Sequence, residues 1–125
     1  MSFSEPVSSR QLPQTTLDGH TALIAGANHG IGAATARALA AAGARVFLNF
    51  LRTSDEPAPG IPETYWRNRA RDAADVVTAI RSAGGDADCL EADLSDPTVP
   101  ARLFDAAEAA FGPVDILVNN ATGWF

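Results

Sequence analysis

Short apolar runs alternate with longer stretches of helical periodicity along most of this chain. The apolar runs predict four buried strands, at Thr21–Ala25, Arg45–Phe50, Asp88–Ala92 and Val114–Asn119. Between them, apolar residues spaced three and four positions apart predict three helices. Because strands and helices alternate, we expect an α/β fold of the Rossmann type, a doubly wound parallel sheet with right-handed crossovers.

The first two predicted helices have clear ends. The first covers Ile31–Ala42 and ends at Gly43, since glycine commonly follows the last helical residue. Its apolar and small positions at helical spacing are Ile31, Ala34, Thr35, Ala38, Leu39 and Ala42. The second runs from about Thr64 to Ala83 and stops at Gly84-Gly85. Its inner stripe consists of Ala70, Ala73, Val77 and Ile80.

The third predicted helix follows two possible capping residues, Ser95 and Asp96, with Pro97 near its first position. Pro100 must then lie in the first turn, since a later proline would kink the helix. Gly112-Pro113 ends the helix. Its inner face consists of Val99, Leu103, Phe104, Ala107 and Phe111.

Three glycines separate the first strand from the first helix. Gly26 would allow a tight turn, Gly30 a close approach of a pyrophosphate, and Gly32 close packing of helix against strand. Backbone N–H groups at a helix start favour anionic phosphates. The segment that includes Asn28 and His29 is therefore predicted to bind phosphate groups. An ordinary strand–helix turn is the alternative.

Composition and charge narrow the classes of function. The 125 residues fit one domain or half of a larger one, and the 46% hydrophobic content suffices for a core. The net charge of −6 argues against nucleic-acid or membrane-surface binding, and no apolar run approaches the ~20 residues that span a bilayer. Residues 1–16 read as a flexible tail without a secretory signal, so a cytoplasmic location is expected. No metal site is assigned.

The residues after the second strand bear on the choice of nucleotide. An acid there would bind the ribose 2′-hydroxyl and select NAD, but no carboxylate occurs until Asp55. Arg52 instead offers a planar, charged donor fork suited to a 2′-phosphate. The sequence therefore favours NADP(H) over NAD(H), with a solvent-facing loop arginine as the alternative. His29 is a further basic group beside the phosphate turn.

The order of motifs resembles the short-chain dehydrogenase/reductase family from Leu17 to Phe125. Gly26, Gly30, Ile31 and Gly32 match its T-G-x-x-x-G-I-G pattern, with alanine in place of the threonine. Asp93-Leu94 resembles its adenine-pocket motif. Asn119-Asn120-Ala121 resembles its N-N-A-G motif, with Thr122 where glycine is usual.

The resemblance implies roles for these residues. Asp93 would accept a hydrogen bond from the adenine amino group, and Leu94 would offer its backbone N–H; alternatively, Asp93 only opens a turn. Asn120 and Ala121 would line the ribose side of the cofactor, whereas Asn119 would be structural. Residues 54–68 form an insert relative to the family pattern. They would be a rim over the cofactor or a loop packed by its own aromatic side chains.

The resemblance also implies an NADP(H)-dependent oxidoreductase that moves hydride between nicotinamide and a carbonyl or alcohol substrate. Its Tyr-x-x-x-Lys pair cannot occur here because the chain has no lysine, so no catalytic residue is assigned and the 125 residues alone are expected to be inactive. They would be the cofactor-binding part, ending after the fourth strand, of a protein that could form a homo-oligomer when complete.

Two other interpretations remain open. One is a non-catalytic dinucleotide-binding or interaction module, or a truncated remnant. The other is an S-adenosylmethionine-dependent methyltransferase, which shares the fold class but is disfavoured by Asn119-Asn120-Ala121.

Overall fold

The computed structural model describes residues 16–52, 60, 62–63 and 73–121. Within these ranges the strands and helices alternate, as the periodicity predicts. The elements are β1 (Thr21–Ala25), α1 (Gly30–Ala41), β2 (Arg45–Phe50), α2 (Ala74–Ser82), β3 (Ala87–Glu91), α3 (Val99–Phe111) and β4 (Ile116–Asn119).

The four strands form one parallel sheet in the order β3-β2-β1-β4. At the centre, Ile24 of β1 pairs with Leu48 of β2. Near the carboxyl ends, Ala25 pairs with Asn119 and Phe50 pairs with Glu91. This arrangement confirms the predicted Rossmann-type α/β class. It also gathers the ends of all four strands at one edge, where ligands of such sheets bind.

Alternating residues of the central strands build two hydrophobic layers. Ala22 and Ile24 of β1 join α1 and α2 on one face, whereas Leu23 and Phe47 pack with α3 on the other. Ile24 is fully buried, and burial of such a side chain contributes about 1.5–3 kcal/mol. The central strands β1 and β2 are thus covered on both faces, as a parallel sheet requires, whereas β4 is only partly covered and its Leu117 is 51% exposed.

The prediction for the buried face of α1 is wrong, because a different face of the helix packs against the sheet. The buried positions of this helix are Gly32, Ala33 and Ala36, whereas Ala34 is exposed and Ile31 is 76% exposed. The helix is so rich in alanine that its apolar pattern cannot select one face. Contact between its first turn and the end of β1 selects the face instead.

The predicted cap of α3 is also wrong. Thr98 is the N-cap residue, not Ser95 or Asp96, and makes no side-chain cap hydrogen bond. The Asp96 carboxylate accepts hydrogen bonds from both the backbone N–H and the hydroxyl of Thr98. These bonds close a turn ahead of the helix and delay its start, so that Pro100 lies in the first turn, as expected.

The inner faces of α2 and α3 agree with the sequence pattern. Ala73, Val77 and Ile80 are buried at α2, and Val99, Leu103 and Ala107 are buried at α3. Three predictions fall almost wholly outside the described residues. They are the tail over residues 1–16, the 54–68 insert and the first half of the second helix. Within the described ranges, no helix combines the length and apolar character needed to cross a bilayer.

Candidate dinucleotide-binding site

The carbonyl oxygen of Gly26, where the chain leaves β1, is the centre of the candidate site. The Asn120 side-chain amide, directly after β4, donates a hydrogen bond to this oxygen over 3.1 Å. A Cβ atom on Gly32 would lie 2.0 Å from the same oxygen and 2.8 Å from the Asn120 amide nitrogen. Only glycine at position 32 lets the first turn of α1 approach so closely.

The chain turns sharply at Gly26 itself. Its φ is +73°, and a Cβ atom there would lie 2.8 Å from the Cα atom of Ala121. The ends of β1 and β4 therefore touch backbone to backbone. Residues separated by more than ninety positions in the chain form one surface at this edge of the sheet.

The first turn of α1 presents N–H groups at this surface. His29 is the N-cap residue, and the first turn contains no acidic side chain to compete with an anionic ligand. N–H groups at such a position have no carbonyl partner within the helix, and the helix dipole favours anions there. Asn28 is 7% exposed, whereas the space beside Gly30 is open and Ile31 projects an apolar side chain outward.

Asn49 is a site residue that the sequence interpretation missed. Its backbone carbonyl accepts a hydrogen bond from the Ala27 N–H over 2.9 Å, within the phosphate turn. Asn49 as a whole is 2% exposed. Its side-chain amide donates a hydrogen bond to the Ala92 carbonyl over 3.0 Å. Asn49 thus links the turn after β1 to the segment after β3. A polar residue inside the apolar run of β2 was the available signal.

Asp93 and Leu94 lie on the exposed segment that follows β3. The Asp93 carboxylate accepts a hydrogen bond from the Ser95 N–H over 2.9 Å, which opens a turn. Hydrogen bonds from the Ser95 backbone and hydroxyl hold the pKa of Asp93 below its ordinary value. The turn-opening role and an adenine contact are compatible, because a carboxylate has several acceptor positions.

Arg52 lies directly beyond β2, and its guanidinium is engaged by Glu91 at the end of β3. Its Nε and Nη2 atoms donate to the two carboxylate oxygens, each over 3.0 Å, and its backbone N–H donates to Oε2 over 2.8 Å. The Arg52 hydrogen bonds are the main cause that lowers the pKa of Glu91. The carboxylate of Glu91 therefore offsets part of the positive charge that Arg52 brings to the end of β2.

These residues fit a dinucleotide. The glycine contacts let the backbone of the turn and of α1 approach closely, the first turn of α1 has N–H donors that could hold a pyrophosphate, and Ile31 has an exposed apolar surface. A parallel sheet with such a turn at its carboxyl edge defines the cofactor-binding half of a Rossmann-type nucleotide-binding protein.

Comparison with known proteins gives the family. The family model described as short chain dehydrogenase matches residues 20–124. The chain therefore belongs to the short-chain dehydrogenase family, an oxidoreductase family with an NAD(P) dinucleotide cofactor.

Named relatives cover most of this chain. Elsinochrome reductase 1 of Elsinoe fawcettii is 40% identical over 88% of the chain, and versicolorin reductase of Emericella nidulans is 40% identical over 84%. These matches span 35% and 34% of the two relatives, respectively. The chain thus spans about a third of the length of the relatives it matches.

Solved structures agree on the fold. A dehydrogenase/reductase from Sinorhizobium meliloti superposes with a TM-score of 0.71 at 34% identity, over 90% of this chain and 38% of that one. A short chain dehydrogenase from Mycobacterium avium gives a TM-score of 0.66 at 37% identity, over 84% and 34%.

Proposed function

We propose that this chain binds NADP(H) at the carboxyl edge of its sheet, as the cofactor-binding part of a short-chain oxidoreductase. The observation that carries the proposal is the contact of Gly26, Gly32 and Asn120, which brings the exits of β1 and β4 against the first turn of α1. Bound there, the nicotinamide group would exchange hydride with a carbonyl or alcohol substrate.

The residues of this chain have separate parts in that binding. The first turn of α1, at Gly30 and Ile31, would hold the pyrophosphate through backbone N–H groups. Asp93 and Leu94 would contact the adenine ring. Asn28, His29 and Ala121 would complete the wall around the phosphates and the ribose.

The preference for NADP(H) rests on Arg52. Its guanidinium lies at the end of β2, where the adenosine ribose binds in this architecture. Arginine is suited to a 2′-phosphate because its planar fork can donate two parallel hydrogen bonds. The carboxylate of Glu91 reduces this positive charge without removing it from the site.

Hydride transfer would need groups that these 125 residues do not contain. The chain has no lysine, so the Tyr-x-x-x-Lys pair that the family resemblance implies is not among its residues. The same fact supports the second candidate, a dinucleotide-binding module without its own chemistry. Both candidates require nucleotide binding, and both predict that the 125 residues alone show no turnover.

Equilibrium binding of NADPH and NADH tests the proposal. We expect tighter binding of NADPH, and a loss of about tenfold in NADPH affinity for Arg52→Gln, since a charge-assisted hydrogen bond contributes about 1.5–3 kcal/mol. NADH affinity should change little. Arg37→Gln, which removes the same charge from the exposed side of α1, is the matched control. If the unaltered chain binds NADPH and NADH equally well, and Arg52→Gln does not change this, the NADP(H) preference is refuted. If the chain binds neither dinucleotide, the site itself is refuted.

A further inference from the structure

A carboxylate from β3, that of Glu91, lies at the end of β2, although the residues that directly follow β2 in the sequence include no acid. Along the chain, no acid follows β2 until Asp55, but the register between β2 and β3 pairs Phe50 with Glu91. Glu91 therefore lies beside the residues that leave β2, although it is 39 positions from Arg52.

Glu91 holds one defined edge of the Arg52 guanidinium. The Nε and Nη2 donors of that edge point at the two carboxylate oxygens, so the pair has the bidentate geometry that arginine forms with planar anions. The backbone N–H of Arg52 binds the same carboxylate. Three hydrogen bonds thus fix the carboxylate against the guanidinium, and they hold the pKa of Glu91 below its ordinary value. Like any glutamate of ordinary or lowered pKa, the group is ionised at neutral pH.

The pair is accessible to a ligand. The Arg52 side chain is 53% exposed and that of Glu91 is 33% exposed. An incoming 2′-phosphate would meet the guanidinium together with a fixed negative charge, and like charges that share one cation repel each other. A ribose 2′-hydroxyl carries no charge and meets no such repulsion.

We propose that Glu91 is a specificity-determining residue that lowers the affinity for 2′-phosphorylated nucleotides relative to their 2′-hydroxyl counterparts. It does so by occupying one donor edge of Arg52 and by placing an anion beside the 2′ position. This inference rests on the proposed binding of a dinucleotide at this edge of the sheet. In that setting Arg52 favours NADP(H), and Glu91 limits the preference.

The test removes the charge of the Glu91 side chain and retains its shape. Glu91→Gln keeps an oxygen that can accept from the Arg52 backbone N–H but removes the anion. Adenosine 2′,5′-bisphosphate and 5′-AMP are suitable probes because they differ in the 2′-phosphate alone. We expect affinity for the bisphosphate to rise about three- to tenfold, a change typical of one partly screened charge, and affinity for 5′-AMP to stay within about twofold. The gain should shrink as salt is raised.

Two further variants separate charge from placement. Glu91→Ala removes both the anion and the acceptor and should also tighten bisphosphate binding. Glu108→Gln removes an equal charge from the last turn of α3, whose end lies at the opposite edge of the sheet, and should change neither affinity. Circular dichroism of each variant verifies that the fold is retained.

The outcomes distinguish this inference from the function on which it rests. Weaker bisphosphate binding in Glu91→Gln and Glu91→Ala would overturn the inference, because Glu91 would then orient Arg52 for the phosphate. Unchanged binding would overturn it as well. In either case NADP(H) binding by the unaltered chain would still stand. If the unaltered chain binds neither probe and neither dinucleotide, the proposed function and the role of Glu91 fall together.

Discussion

At the scale of single residues, Gly32 makes the closest approach in the candidate site. A methyl group at this position would collide with the Gly26 carbonyl and with the Asn120 amide. We expect Gly32→Ala to lower the free energy of unfolding by about 1–3 kcal/mol, since overpacked positions cost that much. Because α1 must move away from the turn, NADPH affinity should also fall by about tenfold or more, measured by titration.

The matched control for this prediction is Ala38→Ser, at an exposed position of the same helix, which should cost only about 0.5 kcal/mol of helix propensity and leave binding unchanged. Wild-type NADPH affinity in Gly32→Ala would contradict a close contact between α1 and the turn as the basis of the site.

Residues near one another in the sequence were easier to interpret than residues joined by strand register. The spacing of Gly26, Gly30 and Gly32 predicted the turn, because glycine signals local backbone geometry. Arg52 was also found, but its partner was not. Glu91 reaches it only through the pairing of β2 with β3, and nothing local to either strand encodes that pairing.

At the scale of elements, the carboxyl end of β2 connects two loops through Asn49. Replacing Asn49 with alanine removes a buried amide and leaves the partly buried Ala92 carbonyl without its side-chain donor. An unsatisfied buried polar group costs about 1–3 kcal/mol, so we expect Asn49→Ala to destabilise the chain by that amount. Urea unfolding measures the change, and Thr78→Ala on the exposed face of α2 is the control. A change no larger than that of the control would show that Ala92 finds another donor.

Strand and helix bounds followed the sequence pattern to within two residues except at the start of α2, which begins at Ala74 and not at about Thr64. α3 has its predicted inner face because Val99, Leu103 and Ala107 recur every four residues, and the charged residues of the helix lie at other positions. α1 lost its predicted face because a helix of small residues has no clear apolar side. The prediction for the cap of α3 is wrong because the Asp96 carboxylate accepts hydrogen bonds from Thr98 in a local turn. Such a turn competes with helix capping.

At the scale of the whole molecule, the sheet has a second polar connection at its opposite edge. The Asp115 carboxylate, just before β4, accepts hydrogen bonds from the Thr21 N–H and the His20 imidazole at the start of β1. These groups, the Thr21 N–H first, lower the pKa of Asp115 from its ordinary value of 3.8. A carboxyl group whose pKa is lower in the folded state stabilises the fold while it is ionised. That stabilisation is present above the unfolded pKa and is lost as pH falls through the lower, folded pKa.

Thermal unfolding of Asp115→Asn tests how much this connection stabilises the fold. The same measurement with NADPH then tests whether the connection and the nucleotide site are independent. We expect the variant to melt below the wild type at neutral pH, and the difference to vanish at acid pH once Asp115 is protonated in both states. Asp105→Asn, exposed on α3, is the matched control. The five residues of β1 separate the two edges by about 13 Å, and effects at such distances usually add.

NADPH at one hundred times its dissociation constant should therefore stabilise wild type and Asp115→Asn equally, by about 2.7 kcal/mol, because a ligand that binds only the folded state stabilises it by mass action. Gly32→Ala, with an affinity about tenfold weaker or worse, should lose about half of that increment or more at the same NADPH concentration. A reduced increment in Asp115→Asn would instead mean that the amino edge of the sheet helps to shape the site at the carboxyl edge. In that event β1 and β4 would act as one coupled unit along their whole length.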